Sequence, residues 1–186
     1  MKILFLINLK EEKIMGCLII VSGVPGSGKS TFCAKYKERG KIAVFSSDET
    51  RKELTGSYTD FSREKDMWQT LYDNAYTILT RFPEIDVMLD ATYLSENQRL
   101  KVCRNFCEVA DEICLVQFQL DQNLVRKQNE SREKVVPSDV LDTMLVKFQP
   151  VTDEELNYYG SAVIMRDHDT MEVLKYGNCS RNIDWL

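Results

Sequence analysis

The stretch Gly23-Val24-Pro25-Gly26-Ser27-Gly28-Lys29-Ser30 decides the fold of this 186-residue chain. It fits the phosphate-loop pattern G-x-x-x-x-G-K-[ST], with an apolar run at 17–22 before it and a helical stretch after it. Gly23 and Gly28 allow the tight turn that points successive backbone N–H groups at one anion. The stretch therefore predicts a nucleoside triphosphate site between a strand and a helix.

Each residue type in the loop has its own chemistry. The helix that begins near Lys29 directs its positive dipole end toward the bound anion. Lys29 brings a full charge to the β- and γ-phosphates, and the Ser30 hydroxyl is placed to bind Mg²⁺. We expect residues 23–30 and Thr31 to bind ATP, with Mg²⁺ as the accompanying ion.

Length and composition bound the class of protein. A chain of 186 residues suffices for one α/β domain and is short for two, and 44% hydrophobic and 28% charged residues are typical of globular proteins. The net charge of −5 gives no overall attraction to nucleic acid. We interpret Cys103 and Cys107, four apart on a predicted helix, as buried free thiols instead of zinc ligands. We expect a reduced, cytoplasmic protein, with a monomer as the default state.

The N-terminal residues 1–14 form an extension of doubtful status. Their apolar part, residues 1–7, is too short to span a membrane and lacks the cleavage site of a signal peptide. One hypothesis is that Met15 is the natural start, and the alternative is that the extension adds an edge strand. We assign residues 15–186 to a single domain.

Apolar runs alternate with helical stretches along the chain, as expected for a parallel sheet covered by helices. Asp48 and Ser95 are predicted to cap helices, and Pro137 is predicted to begin one. The predicted fold is α/β, a P-loop NTPase fold of three layers (α/β/α) with a mainly parallel five-stranded sheet. The strands are predicted at 17–22, 41–46, 85–90, 113–119 and 161–165, with a weaker run at 171–176, and the helices at 28–38, 48–55, 62–81, 95–109, 121–131 and 137–148.

Charged residues follow two further strands of this predicted sheet. Because ligands bind beyond the carboxyl ends of parallel strands, Asp48, Arg51 and Asp90 are expected beside the phosphate loop. Asp48 could remove the proton of an attacking hydroxyl, and Arg51 could hold an acceptor phosphate. Asp90 could orient Mg²⁺ or the acceptor. The structural alternative is that both aspartates only cap helices and that Arg51 is a solvated charge.

A mixed-charge run after the fourth strand is the candidate lid, approximately residues 121–148. Arginines that close over the γ-phosphate stabilise the charge of phosphoryl transfer, and Arg126 and Arg132 are the candidates. Other classes of P-loop protein fit less well: no N-K-x-D string is present to read guanine, and a motor ATPase normally needs a larger domain.

Together these residues resemble the polynucleotide 5′-kinase family from about residue 15 to 165. The similarity comprises the phosphate loop, Asp48-x-x-Arg51, Asp90-Ala91-Thr92, the arginine-bearing lid, and an F-x-P…E stretch at Phe148-Gln149-Pro150 and Glu154. It implies that Lys29, Asp48, Arg51 and Arg132 are catalytic, with Asp48 as the base on a 5′-hydroxyl and Arg51 on the neighbouring phosphate. It also implies that Arg126 contacts the nucleotide and that Ser30 and Asp90 hold Mg²⁺. Between Arg132 and Pro137 the lid is about one residue shorter than the pattern of the family that the chain resembles, which leaves the choice between Arg126 and Arg132 open.

Three functions remain open on the sequence. The first is a kinase acting on a 5′-OH polynucleotide end, and the second is a kinase of a nucleoside, nucleotide or sugar derivative. The third is an ATP-binding switch that transfers no phosphate. Aromatic and basic residues of the third helical stretch are candidates to line the acceptor pocket, although such residues are more often core: Phe61, Arg63, Trp68 and Tyr72.

Overall fold

The computed structural model describes residues 16–38, 41–132, 134–167 and 170–175, so the question of the N-terminal extension lies outside the described residues. Its centre is a six-stranded sheet in the order β2-β3-β1-β4-β5-β6. The first five are parallel neighbours, as predicted, and the weak run at 171–176 supplies a sixth strand antiparallel to β5. The strands are β1 (Leu18–Ser22), β2 (Ile42–Ser46), β3 (Asp86–Asp90), β4 (Ile113–Phe118), β5 (Ser161–Met165) and β6 (Met171–Lys175).

Helices cover both faces of this sheet and confirm the three-layer α/β/α fold. The helices are α1 (Lys29–Lys37), α2 (Ser47–Thr55), α3 (Glu64–Arg81), α4 (Glu96–Phe106), α5 (Gln122–Ser131) and α6 (Ser138–Lys147). A 3₁₀ turn at Glu155–Tyr158 was not predicted from the sequence. Within the described ranges, no helix combines the length and the apolar character needed to cross a bilayer.

The alternation of side chains along β1 divides the interior into two cores. Leu18 and Ile20 face the core built with α3 and α4, whereas Ile19 and Val21 face the core that contains α1. All four side chains are fully buried, as expected for a strand covered on both sides. A third, smaller cluster joins Val24 of the phosphate loop to α5 and α6, so the candidate lid packs directly on the loop.

The ends of the helices confirm some local predictions and correct others. Ser95 caps α4 in a capping box with Gln98, as its position predicted. Asp48 is not an N-cap, because β2 runs into α2 without a loop and the helix begins at Ser47. Asp48 instead lies in the first turn, where the helix dipole favours a carboxylate.

The two cysteines of α4 differ in environment. Cys103 is buried, as predicted, but Cys107 is exposed. The helix ends at Phe106, three residues before the predicted end at 109, so Cys107 lies at its C-cap instead of on its buried face. The prediction of a buried pair is therefore wrong for Cys107.

Candidate functional site

The phosphate loop is fixed between the end of β1 and the start of α1. The N–H of Gly23 donates to the carbonyl of Thr92 at 2.9 Å, which ties the loop to the chain that follows β3. Gly26 has a positive φ of 81°, and a Cβ atom there would lie 2.8 Å from the carbonyl oxygen of Val125 in α5. Only glycine fits at this position, because a side chain would collide with the backbone of the lid. Gly28 is the N-cap, and α1 begins at Lys29.

Lys29 is buried against the loop that precedes it. Its Nζ donates to the carbonyl oxygen of Val24 at 2.8 Å and lies 3.5 Å from the Ser27 hydroxyl. Burial lowers the pKa of Lys29, the negative charge of Asp90 raises it in opposition, and the positive charge of Arg132 lowers it further. The ammonium group is therefore held inside the loop, within electrostatic reach of both a carboxylate and a lid arginine.

Asp90 ends β3 in register with Val21 of β1 and Ser46 of β2, so the carboxyl ends of three strands meet there. Burial raises the pKa of Asp90, whereas the charge of Lys29 and a hydrogen bond from Ser30 lower it. This hydroxyl and carboxylate fit Mg²⁺, which proteins usually hold through one or two oxygen ligands together with phosphates and water. Across residues 16–38, 41–132, 134–167 and 170–175, no group of three or more His, Cys, Asp or Glu is placed to hold a metal, so phosphates and water would supply the remaining ligands here.

A cavity of about 550 Å³ opens beside Ser30 and Asp90. We call it the acceptor cavity. It is open to solvent, and its lining residues come from α1, α2, β2, the end of β3 and the chain after α5. Its volume lies within the range of small-molecule sites. Four carboxylates and three cations line it: Asp48, Glu49, Glu53 and Asp90 against Lys37, Arg132 and Lys134.

Asp48 and Arg51 lie side by side, as their spacing predicted. Arg51 Nη1 donates to Asp48 Oδ1 at 2.8 Å, and the Asp48 carboxylate lines the acceptor cavity. Arg51 does not line the cavity, because its guanidinium also donates to both carboxylate oxygens of Glu64. The structure thus places Asp48 at the cavity, whereas Arg51 lies behind Asp48 and outside the cavity lining.

The two candidate lid arginines occupy different places. Arg132 lines the acceptor cavity, whereas Arg126 forms an ion pair with Asp142 of α6 on the outside of the lid. Lys134, which we did not single out in the sequence, also lines the cavity and donates to Glu49 at 2.8 Å. Its ammonium lies 3.4 Å from the ring centroid of Tyr58. Because Lys134 belongs to a run of mixed charge, only its tertiary contact distinguishes it.

The aromatic candidates of the third helical stretch lie away from the acceptor cavity. Trp68 and Tyr72 pack against the core between α3 and α4, as is more common for aromatic residues at helical spacing. Phe61 and Arg63 precede α3, and neither lines the cavity. None of these four residues therefore lines the cavity, although the ring of Phe61 contacts Arg51 behind Asp48.

A buried ion pair connects α4 to the 3₁₀ turn at Glu155–Tyr158. Arg99 donates to Glu155 at 2.6 and 2.7 Å, and both side chains are fully buried. Arg99 also donates to the carbonyl oxygens of Tyr93 and Gln149, which joins the chain after β3 to the chain after α6. The glutamate in these contacts is Glu155, the neighbour of Glu154 in the F-x-P…E stretch.

Comparisons with known proteins agree with this architecture. Residues 18–151 match the model of a protein family described as an AAA domain. A search of curated proteins gives no match.

Solved structures give further matches. A chain of the Pnkp1/Rnl/Hen1 RNA repair complex is 24% identical with a TM-score of 0.62, over 74% of this chain and 45% of that one. Kti12 of Chaetomium thermophilum in complex with ADP-AlF3 is 18% identical with a TM-score of 0.65, over 82% and 90%. A gluconokinase of Sinorhizobium meliloti 1021 is 19% identical with a TM-score of 0.54, over 81% and 83%.

These likenesses lie below 25% identity and concern the fold. They confirm the predicted P-loop NTPase fold. This chain spans less than half of the chain from the repair complex, so it matches one part of that larger protein.

Proposed function

The chain belongs to the AAA domain family, and we propose that it is an ATP-dependent kinase whose leading acceptor is the 5′-hydroxyl of a polynucleotide. One observation carries the proposal: Asp48, Ser30, Asp90 and Arg132 line one cavity immediately beside the buried Lys29. A base, a site for an ion and two cations are the groups that phosphoryl transfer needs. The ADP-AlF3 bound to the structurally similar Kti12 supports the nucleotide as ligand.

We assign each of these groups a role in the transfer. Asp48 accepts the proton of the acceptor hydroxyl, whose oxygen forms a bond to the γ-phosphorus. The bond from the γ-phosphorus to the bridging oxygen breaks at the same time, and ADP leaves with that oxygen. Lys29 and Arg132 stabilise the charge on the transferring phosphoryl group. Ser30 and Asp90 would hold Mg²⁺, which when bound neutralises charge on the β- and γ-phosphates.

Transfer from γ-labelled ATP to a 5′-OH oligonucleotide tests the proposal. Asp48→Asn should lower kcat by about 10²–10⁴-fold and leave ATP affinity unchanged, because it removes the base without touching the loop. Asp66→Asn makes the same charge change in α3, away from the cavity, and should retain full activity. An Asp48→Asn variant as active as the wild type would refute the role of Asp48.

The charge of the acceptor cavity favours a second candidate, a kinase of small molecules. Four carboxylates against three cations, in a chain of net charge −5, disfavour a polyanionic acceptor. The fold shared with a gluconokinase is consistent with a small polyhydroxyl acceptor. A panel of nucleosides, nucleotides, sugars, RNA and DNA with labelled ATP separates the two candidates by their product. ATP binding without any labelled product would instead favour the non-catalytic switch.

A cytoplasmic location is part of the same proposal. ATP is abundant in that compartment, and Cys33, Cys103 and Cys107 are thiols outside any disulfide, which is consistent with a reducing environment.

A further inference from the structure

Arg51 is the centre of a network that connects α2 to α3. Its Nε and Nη2 donate to the two carboxylate oxygens of Glu64 at 3.0 and 3.1 Å, and its Nη1 donates to Asp48 at 2.8 Å. The two-point bond to Glu64 fixes the plane of the guanidinium, which no single hydrogen bond could do. The plane in turn fixes the direction of the bond to Asp48.

The remaining surroundings of Arg51 leave little room for a ligand. The carbonyl oxygen of Tyr58 lies 3.4 Å from Nη1, and the ring of Phe61 covers the guanidinium at 4.6 Å from its centroid. The side chain of Arg51 is 7% exposed, whereas that of Asp48 is 46% exposed toward the cavity. The guanidinium N–H groups of Arg51 that could bind an acceptor phosphate therefore already donate to the carboxylates of Asp48 and Glu64.

We propose that Arg51 and Glu64 are positioning residues, in which Glu64 orients Arg51 and Arg51 holds the Asp48 carboxylate at the acceptor cavity. This inference rests on the proposed function, because it takes Asp48 as the base. An exposed aspartate without a partner samples several rotamers, and a misplacement of about 1 Å at a reacting group can cost about 10²-fold in rate. The Glu64–Arg51 pair removes that freedom before the acceptor arrives.

The opposing interpretation gives Arg51 the acceptor's neighbouring phosphate, and the two make opposite predictions for Glu64→Gln. If Arg51 positions Asp48, the loss of the two-point bond disorders Asp48, and kcat falls for every acceptor. If Arg51 binds phosphate, Glu64 competes with that phosphate for the same donors. Its removal would then lower KM for a phosphorylated acceptor.

Steady-state kinetics with a nucleoside 3′-monophosphate and the matching nucleoside decide between them. For Glu64→Gln we expect kcat to fall about 10–100-fold with both acceptors, the scale seen when a group that supports an active-site residue is lost. Acceptor KM and ATP affinity should stay within about twofold. The control is Asp66→Asn, which breaks the Arg63–Asp66 ion pair in the same turn of α3 and should leave kcat unchanged. Unchanged kcat in Glu64→Gln, or a lower KM for the 3′-monophosphate alone, overturns the inference.

Two further measurements keep the inference falsifiable. If thermal unfolding shows that Glu64→Gln is not folded, Arg51→Lys is used instead. Lysine keeps the positive charge but lacks the planar guanidinium that bonds Glu64 and Asp48 together. A wild-type protein that phosphorylates no acceptor refutes the proposed function. Crystal structures of the wild type and the variant then decide the inference alone. An Asp48 carboxylate displaced from its wild-type position supports it, and an unmoved one overturns it.

Discussion

Replacing Gly26 by alanine tests the contact between the phosphate loop and the lid. Gly26 has a φ of 81°, and an added Cβ would lie 2.8 Å from the carbonyl oxygen of Val125 and 3.2 Å from the backbone nitrogen of Asn129. Both atoms belong to the backbone of α5, so no side-chain rotation relieves the collision. Either the loop or the helix has to move.

The structure offers a matched control for the backbone strain alone. Gly56, which follows α2, has a φ of 80°, and an added Cβ there meets no atom within 4 Å. Alanine in a left-handed conformation costs about 1–2 kcal/mol, so Gly56→Ala should lose that amount. Gly26→Ala should lose the same strain together with about 1–3 kcal/mol for overpacking, roughly 2–5 kcal/mol altogether. The stiffening of the unfolded chain by alanine stabilises both variants alike and cancels in the comparison.

Urea unfolding followed by circular dichroism measures both free energies, and ATP titration measures the functional effect. Because Arg132 is the C-cap of α5, a displaced helix carries it away from Lys29, and we expect ATP affinity to fall about tenfold in Gly26→Ala. Gly56→Ala should bind ATP like the wild type. Equal losses of stability in the two variants, or unchanged ATP affinity in Gly26→Ala, would show that the lid does not rest on the loop.

Three further results are expected from other parts of the molecule. Arg132→Ala should lower kcat by about 10²–10³-fold and Arg126→Ala by less than about threefold, because only Arg132 lines the cavity; equal effects in labelled-ATP assays would contradict this. Arg99→Met should lower the free energy of unfolding in urea by about 3–5 kcal/mol, because it leaves the buried charge of Glu155 unpaired; a loss below about 1 kcal/mol would refute the reasoning. Burial raises the pKa of Cys103 to about 11, so its thiolate and its rate of alkylation should increase with pH across that value. In the native protein at pH 8, peptide mass spectrometry should find Cys103 unmodified by iodoacetamide, and rapid labelling would contradict the burial.

Features that depend on local spacing could be predicted from the sequence. The phosphate loop is a contiguous pattern, and the position of Asp90 follows from a buried strand that ends at that residue. The parallel strands were found because continuous apolar runs report burial on both faces. Ser95 and Pro137 begin their helices as their residue types predict.

Features that depend on pairing across the chain could not be predicted. Lys134 and Glu49 are 85 residues apart, and Arg99 and Glu155 are 56 apart. Charged residues of this kind follow no hydrophobic periodicity, so the sequence pattern does not distinguish a solvated surface charge from a member of a buried ion pair. The choice between the two lid arginines stayed open on the sequence for the same reason, because it depends on where α5 ends relative to the cavity.

Burial of the ionisable groups of Lys29 and Asp90 lowers the stability of the fold. Burial lowers the pKa of Lys29 below its value in the unfolded chain. Lys29 therefore favours the folded state at pH values above the usual lysine pKa, and this contribution is lost as pH falls. The pKa of Asp90 is raised by burial, so its contribution is present only at low pH and is lost as pH rises. Burial therefore disfavours the charged form of both groups, and their mutual attraction offsets only part of that effect. Burial of a cation and a carboxylate near one another at a cost in stability is typical of functional sites.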